Sequence, residues 1–220
     1  MIKAIFFDLD GVLVNSEWQD QKWTREYARM MNLTIPEERF YYLIGTNKRQ
    51  NPWTKILEGY ENEIQDLEQF RQGLRAFKTK KRSMFNFSEV LFEEVPDVLS
   101  QLKSKGIKIA CASSSTMEYI QQALSQTGLL PYFDMICTGH DFKESKPAPD
   151  IYLYCQNYFG FKKEECLVIE DSSLGIQAGK SAGMNVVARE TPFGLDQSQA
   201  DWRINNMKEL LLIVNELNDF

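Results

Sequence analysis

Four short stretches of the chain hold the side chains best suited to chemistry. The first is Asp8-Leu9-Asp10-Gly11, which ends an apolar run of Ile2, Ala4, Ile5, Phe6 and Phe7. Residues two apart on a strand point the same way, so Asp8 and Asp10 project together from its carboxyl end. Gly11 lets the chain turn sharply there. Two adjacent carboxylates repel, which calls for a positive group between them. The second stretch is Ser113-Ser114-Ser115, the third carries His140, Lys146, Pro147 and Pro149, and the fourth is Glu170-Asp171-Ser172-Ser173. Taken singly, each has a plain alternative. Asp-Gly is a common turn, Ser113 suits a helix cap, Lys146 suits an exposed loop, and Glu170-Asp171 suits a helix N-terminus. His140 reads as a loop hydrogen-bonder.

The elements between these stretches place them on one rim. Residues 2–7 are short and apolar on both faces, as in a strand buried inside a parallel sheet. From Phe92 onward helix and strand alternate. Helices are predicted over 96–105, 116–126, 149–159, 172–182 and 206–217, and strands over 107–112, 133–137, 167–169 and 185–188. Such alternation builds a parallel sheet with helices on both faces. Residues 16 to about 82 read as helical throughout: Trp23, Tyr27, Met30 and Met31 recur at helical spacing, as do Ile64, Leu67, Phe70, Leu74 and Phe77. The first strand must join the later sheet, so the helical block is an insertion. We expect an α/β, Rossmann-like core formed by residues 1–15 and 88–220, with an all-helical cap domain over 16–87. The basic run Lys78, Lys80, Lys81, Arg82 reads as a solvated helix end.

Ligands bind beyond the carboxyl ends of the strands in an open parallel sheet, and all four stretches lie there. Four carboxylates packed together require a cation, and hard oxygen donors suit magnesium. A lysine and helix-N-terminal amides beside them suit a phosphate dianion.

Composition narrows the partners. The chain has 25 basic and 31 acidic residues and a net charge of −6, which argues against nucleic acid or an anionic membrane surface. No apolar run is long enough to span a bilayer, and no signal peptide is visible. Cys111, Cys137, Cys155 and Cys166 form no CxxC pair and sit in apolar segments. They read as reduced core residues of a cytoplasmic protein, for which a monomer is the default.

The chain resembles the haloacid dehalogenase-like phosphohydrolase superfamily, and within it the β-phosphoglucomutase-like branch. Four motifs carry the likeness in order: Phe7-Asp8-Leu9-Asp10-Gly11-Val12-Leu13, Ile109 to Ser115, Ser145-Lys146-Pro147-Ala148-Pro149-Asp150, and Val168-Ile169-Glu170-Asp171-Ser172. The resemblance implies a magnesium-dependent phosphatase of small phosphorylated metabolites such as sugar phosphates. Asp8 would be the nucleophile that forms an aspartyl-phosphate. Asp10 would be general acid and then base, and its main-chain carbonyl would bind the metal. Ser113, with Ser114 beside it, and Lys146 would hold the phosphoryl group. Glu170 and Asp171 would complete the metal site with Asp8 and Asp10. The cap would close over the substrate, with Asp20, Thr46 and Arg49 as candidates for choosing it, alongside Glu17, Trp23, Asn47 and Trp53. Dehalogenase and phosphonate-cleaving relatives lack the second aspartate, so Asp10 favours phosphoryl transfer from oxygen. A hexose-phosphate mutase is the alternative. Mutases carry a cap histidine ten residues after the second aspartate, where this chain has Asp20.

Overall fold

The computed structural model describes residues 1–45 and 51–219. The chain divides into two compact units, Met1–Asn15 with Phe87–Phe220, and Ser16–Asn86. The first element, β1 (Ala4–Phe7), belongs to the larger unit, and all four of its side chains are fully buried. Burying side chains such as Ile5, Phe6 and Phe7 stabilises the fold by about 1.5–3 kcal/mol each.

The smaller unit is helical. It contains α1 (Ser16–Met30), a 3-10 turn at Glu37–Leu43, α2 (Trp53–Ile56) and α3 (Leu67–Ser83). Its core gathers Ala28, Ile35, Phe40, Trp53, Ile56, Ile64, Phe70 and Leu74. Helix α3 opens on Asp66, whose carboxylate accepts from the Gln69 amide at 2.9 Å. It ends in Lys80, Lys81 and Arg82, which complement the negative end of the helix. The basic run is more than a solvated end. Lys78 and Arg82 both pair with Asp20 of α1, and Lys81 pairs with Glu26 at 2.7 Å. These acids of α1 turn the run into a set of ties between two helices, with the Lys78 side chain only 12% exposed.

The larger unit continues after residue 86. Phe87 falls here and not in the helical insertion, where the sequence reading had placed it. Its ring is buried edge-to-face on Tyr119, and its amide donates to Gln126. There follow α4 (Val95–Ser104), β2 (Lys108–Ser113), α5 (Met117–Gln126), β3 (Met135–Thr138), α6 (Asp150–Phe159), β4 (Cys166–Glu170), α7 (Ser173–Ser181), β5 (Asn185–Arg189), β6 (Trp202–Ile204) and α8 (Lys208–Asn218). The strands form one six-stranded sheet in the order β3-β2-β1-β4-β5-β6. Every neighbouring pair is parallel. Strand β6 was not anticipated; it has three residues, too few for a periodic signal. Strand β1 sits between β2 and β4, with Phe7 level with Cys111 on one side and Ile169 on the other. Its carboxyl end therefore opens at the middle of the sheet.

Two caps also bear on the site. Thr116, not Ser113, caps α5 by accepting from the Tyr119 amide, and Ser172 caps α7 by accepting from the Gly175 amide. All four cysteines are buried and unbridged. No helix among the described residues is long and apolar enough to cross a membrane.

Candidate active site

The chain leaves β1 at Asp8, whose amide still donates to the Ile169 carbonyl at 2.9 Å, so the ladder to β4 fixes where the carboxylate emerges. Three residues later Gly11 takes a φ of +78°, a conformation that side chains other than hydrogen disfavour. A Cβ there would also lie 2.1 Å from Asp171 Oδ2. The turn after β1 thus needs glycine twice over, for its backbone and for its closeness to the acid that follows β4.

Lys146, from the loop between β3 and α6, reaches into this centre. Its ammonium lies 2.6 Å from Asp8 Oδ1 and 2.6 Å from Glu170 Oε1, and it donates to the Ala112 carbonyl at 3.0 Å. Asp8, Lys146, Glu170 and Asp171 are all buried. A buried ammonium is costly alone and tolerable between two carboxylates. Burial works against its charge, but Asp8 and Glu170 outweigh it and hold the Lys146 proton well above the usual ammonium range. Asp8 moves the other way. Burial pushes its carboxyl up to about 7, opposed by Lys146 and reinforced by Glu170 and Asp10. More negative charge lies here than one lysine offsets.

Glu170 is held on both oxygens. Oε1 accepts from Lys146 and from the Tyr152 hydroxyl, each at 2.6 Å. Oε2 accepts from the Asp171 amide and the Ser172 hydroxyl, each at 3.2 Å. Its carboxylate also occupies the space over Gly175. Asp8, Glu170 and Asp171 each offer an oxygen within 4.8 Å of the others, a cluster able to hold a metal ion. Three hard oxygen donors suit magnesium, and the unbalanced charge around Asp8 favours a cation.

The Asp10 side chain is not part of that cluster. Its Oδ2 accepts from Ser115 Oγ and its Oδ1 from the Tyr119 hydroxyl, both at 2.9 Å. Ser113 is buried, and its hydroxyl accepts from the Ser115 amide at 3.1 Å, whereas Ser114 is exposed. His140 lies in a 3-10 turn, and its amide donates to Thr138. In the helical unit both Asp20 oxygens are taken by Lys78 and Arg82. Trp23 and Trp53 are buried against Phe85 and Phe70, so these rings serve core packing. Glu17 lies in the first turn of α1. Thr46, Asn47 and Arg49 lie outside the described residues.

Three contributors escaped the sequence reading: Tyr119, Tyr152 and Gln197. Gln197 donates to the carbonyls of Asp171 and Arg189, pinning the loop after β4. Tyr152 left a signal. It stands between Ile151 and Cys155 on a buried face of α6, and a buried tyrosine hydroxyl needs a polar partner.

A parallel sheet whose central strand ends in a buried carboxylate, facing a lysine and two further acids, defines an α/β enzyme built to handle an anionic group. The model of the family described as haloacid dehalogenase-like hydrolase matches residues 5–189. The chain is 34% identical over 186 residues to the phosphorylated carbohydrates phosphatase of Thermotoga maritima, covering 83% of this chain and 82% of that protein. It is 31% identical over 224 residues to YhcW of Bacillus subtilis (strain 168), covering 99% of each. It also matches the crystal structure of β-phosphoglucomutase from Clostridium difficile, with a TM-score of 0.75, 25% identity, and 100% and 98% of the two chains covered. The chain belongs to the haloacid dehalogenase-like hydrolases, and it is a phosphatase of that family.

Proposed function

We propose that this phosphatase is magnesium-dependent and hydrolyses a small phosphorylated metabolite, a sugar phosphate by class, through an aspartyl-phosphate on Asp8. The observation that carries the reading is the Asp8 carboxylate, buried at the end of β1, 2.6 Å from the Lys146 ammonium and within the Asp8, Glu170 and Asp171 cluster. The name of the Thermotoga maritima relative supports the sugar-phosphate class.

An Asp8 oxygen attacks phosphorus, and the bond from phosphorus to the ester oxygen breaks. Asp10 gives its proton to the departing oxygen. Water then attacks the phosphorus of the aspartyl-phosphate, Asp10 takes its proton, and inorganic phosphate leaves Asp8 as it began. Lys146 offsets charge on Asp8 and on the phosphoryl oxygens, and Ser113 donates to them. Magnesium, held by Asp8, Asp171, Glu170 and the Asp10 main chain, would lower the repulsion between carboxylate and phosphate. Asp20, engaged by Lys78 and Arg82, offers no counterpart to a mutase histidine, which favours transfer to water.

The test is an assay of purified protein with magnesium and a panel of phosphorylated metabolites that includes β-glucose 1-phosphate, following free phosphate and isomerised product together. We expect phosphate release from a sugar phosphate, abolished in Asp8→Asn. Release that persists in Asp8→Asn, or isomerised product with little free phosphate, would overturn the reading.

A further inference from the structure

The Asp10 carboxylate is gripped on both oxygens by one segment, the start of α5 and the loop before it. Ser115 Oγ donates to Oδ2 and the Tyr119 hydroxyl to Oδ1, each at 2.9 Å. The two donors approach different oxygens, so together they fix both the position of the carboxylate and the rotation of its plane. The gripping segment is itself held. The Ser115 amide donates to Ser113 Oγ at 3.1 Å, and Thr138 Oγ1 donates to the Ser115 carbonyl at 2.6 Å. The Tyr119 ring packs edge-to-face on buried Phe87, with centroids 5.0 Å apart. A half-buried tyrosine whose ring is seated in this way delivers its hydroxyl to one place.

We propose that Tyr119, with Ser115, is a positioning residue that aims the Asp10 carboxylate for proton delivery to the departing ester oxygen. The inference rests on the reading of Asp10 as the proton donor. It predicts a dependence on the leaving group. A poor leaving group such as an alkoxide needs a well-aimed acid, whereas p-nitrophenolate departs without much help. Loss of aim therefore slows formation of the aspartyl-phosphate in proportion to how much the leaving group needs a proton.

The experiment compares wild type, Tyr119→Phe, Ser115→Ala and Asp10→Asn on two phosphate monoesters, p-nitrophenyl phosphate and a primary alkyl phosphate. Tyr119→Phe keeps the ring on Phe87 and removes only the hydroxyl. We expect kcat/KM, which reports formation of the aspartyl-phosphate and not the water step that both esters share, to fall about tenfold on the alkyl ester in Tyr119→Phe and to stay within about threefold of wild type on the nitrophenyl ester. Ser115→Ala, which removes the other donor, should show the same split and stands in if Tyr119→Phe does not fold. Asp10→Asn should show a larger split in the same direction. Equal losses on both esters in Tyr119→Phe and Ser115→Ala, or no loss on either, would overturn the positioning role if Asp10→Asn still shows the split. If Asp10→Asn also loses both esters equally, the proton-donor reading fails, and the positioning role fails with it.

Discussion

Glu170 occupies the space that a side chain on Gly175 would need: a Cβ at 175 would sit 1.9 Å from Glu170 Cδ and 2.0 Å from its Oε1. Glycine in the first turn of α7 is therefore what lets the acid fold back toward Lys146 and Tyr152.

Gly175→Ala should force Glu170 aside. The expected cost is about 1–3 kcal/mol of stability, as for other overpacked sites. Phosphatase activity should also fall, by about tenfold or more, because the Lys146 anchor moves. Gly160→Ala is the control. Its φ of +70° penalises alanine, yet no atom lies within 4 Å of the added Cβ. That variant should lose about 1 kcal/mol with unchanged activity. Thermal melts and steady-state assays on both proteins check the pair, and full activity in Gly175→Ala would contradict the account.

Lys146→Met removes the cation that Asp8 and Glu170 share. Leaving buried carboxylates without it should destabilise the metal-free protein by about 3–5 kcal/mol. Denaturant titration at neutral pH measures the loss, and a wild-type midpoint would show that the buried charges find another partner. Turnover should fall with it.

Magnesium should raise the melting temperature, because a cation beside the Asp8 carboxylate offsets the burial that, reinforced by Glu170 and Asp10, pushes its carboxyl up to about 7. At ten times its dissociation constant a ligand that binds only the folded state adds about 1.4 kcal/mol. Chelation should remove both the shift and turnover, and Asp171→Asn should abolish the shift. A melting temperature indifferent to magnesium would speak against a metal in this cluster.

Acid should weaken the fold through Glu94. Burial alone would raise its carboxyl, but hydrogen bonds from its own amide and the Met207 amide, together with Arg189 at 3.0 Å, hold it below the usual range. A depressed carboxylate stabilises the fold above its unfolded value of 4.5, and that contribution is lost as pH falls through the folded value. Glu94→Gln should flatten stability against pH below about pH 4.5 while lowering stability at pH 7. Equilibrium denaturation across pH 3–7 checks both signs, and parallel profiles for the two proteins would exclude the linkage.

Much of this protein was determined by sequence alone, for reasons that lie in local spacing. Period-two projection put Asp8 and Asp10 at one strand end. Apolar runs broken by Gly106, Gly128 and Gly183 marked the alternation of helix and strand, and Lys146 and Glu170-Asp171 fell beyond strand ends because every crossover is parallel. What local spacing cannot carry is which side chain touches which across long stretches of chain. Only the tertiary structure separated Asp10 from the acidic cluster, by bringing Ser115 and Tyr119 to its oxygens. It also turned Tyr152 inward onto Glu170 and spent Asp20 on Lys78 and Arg82. Each of these contacts is set by packing and by the charge of groups distant in sequence, and neither is written in the residues beside them.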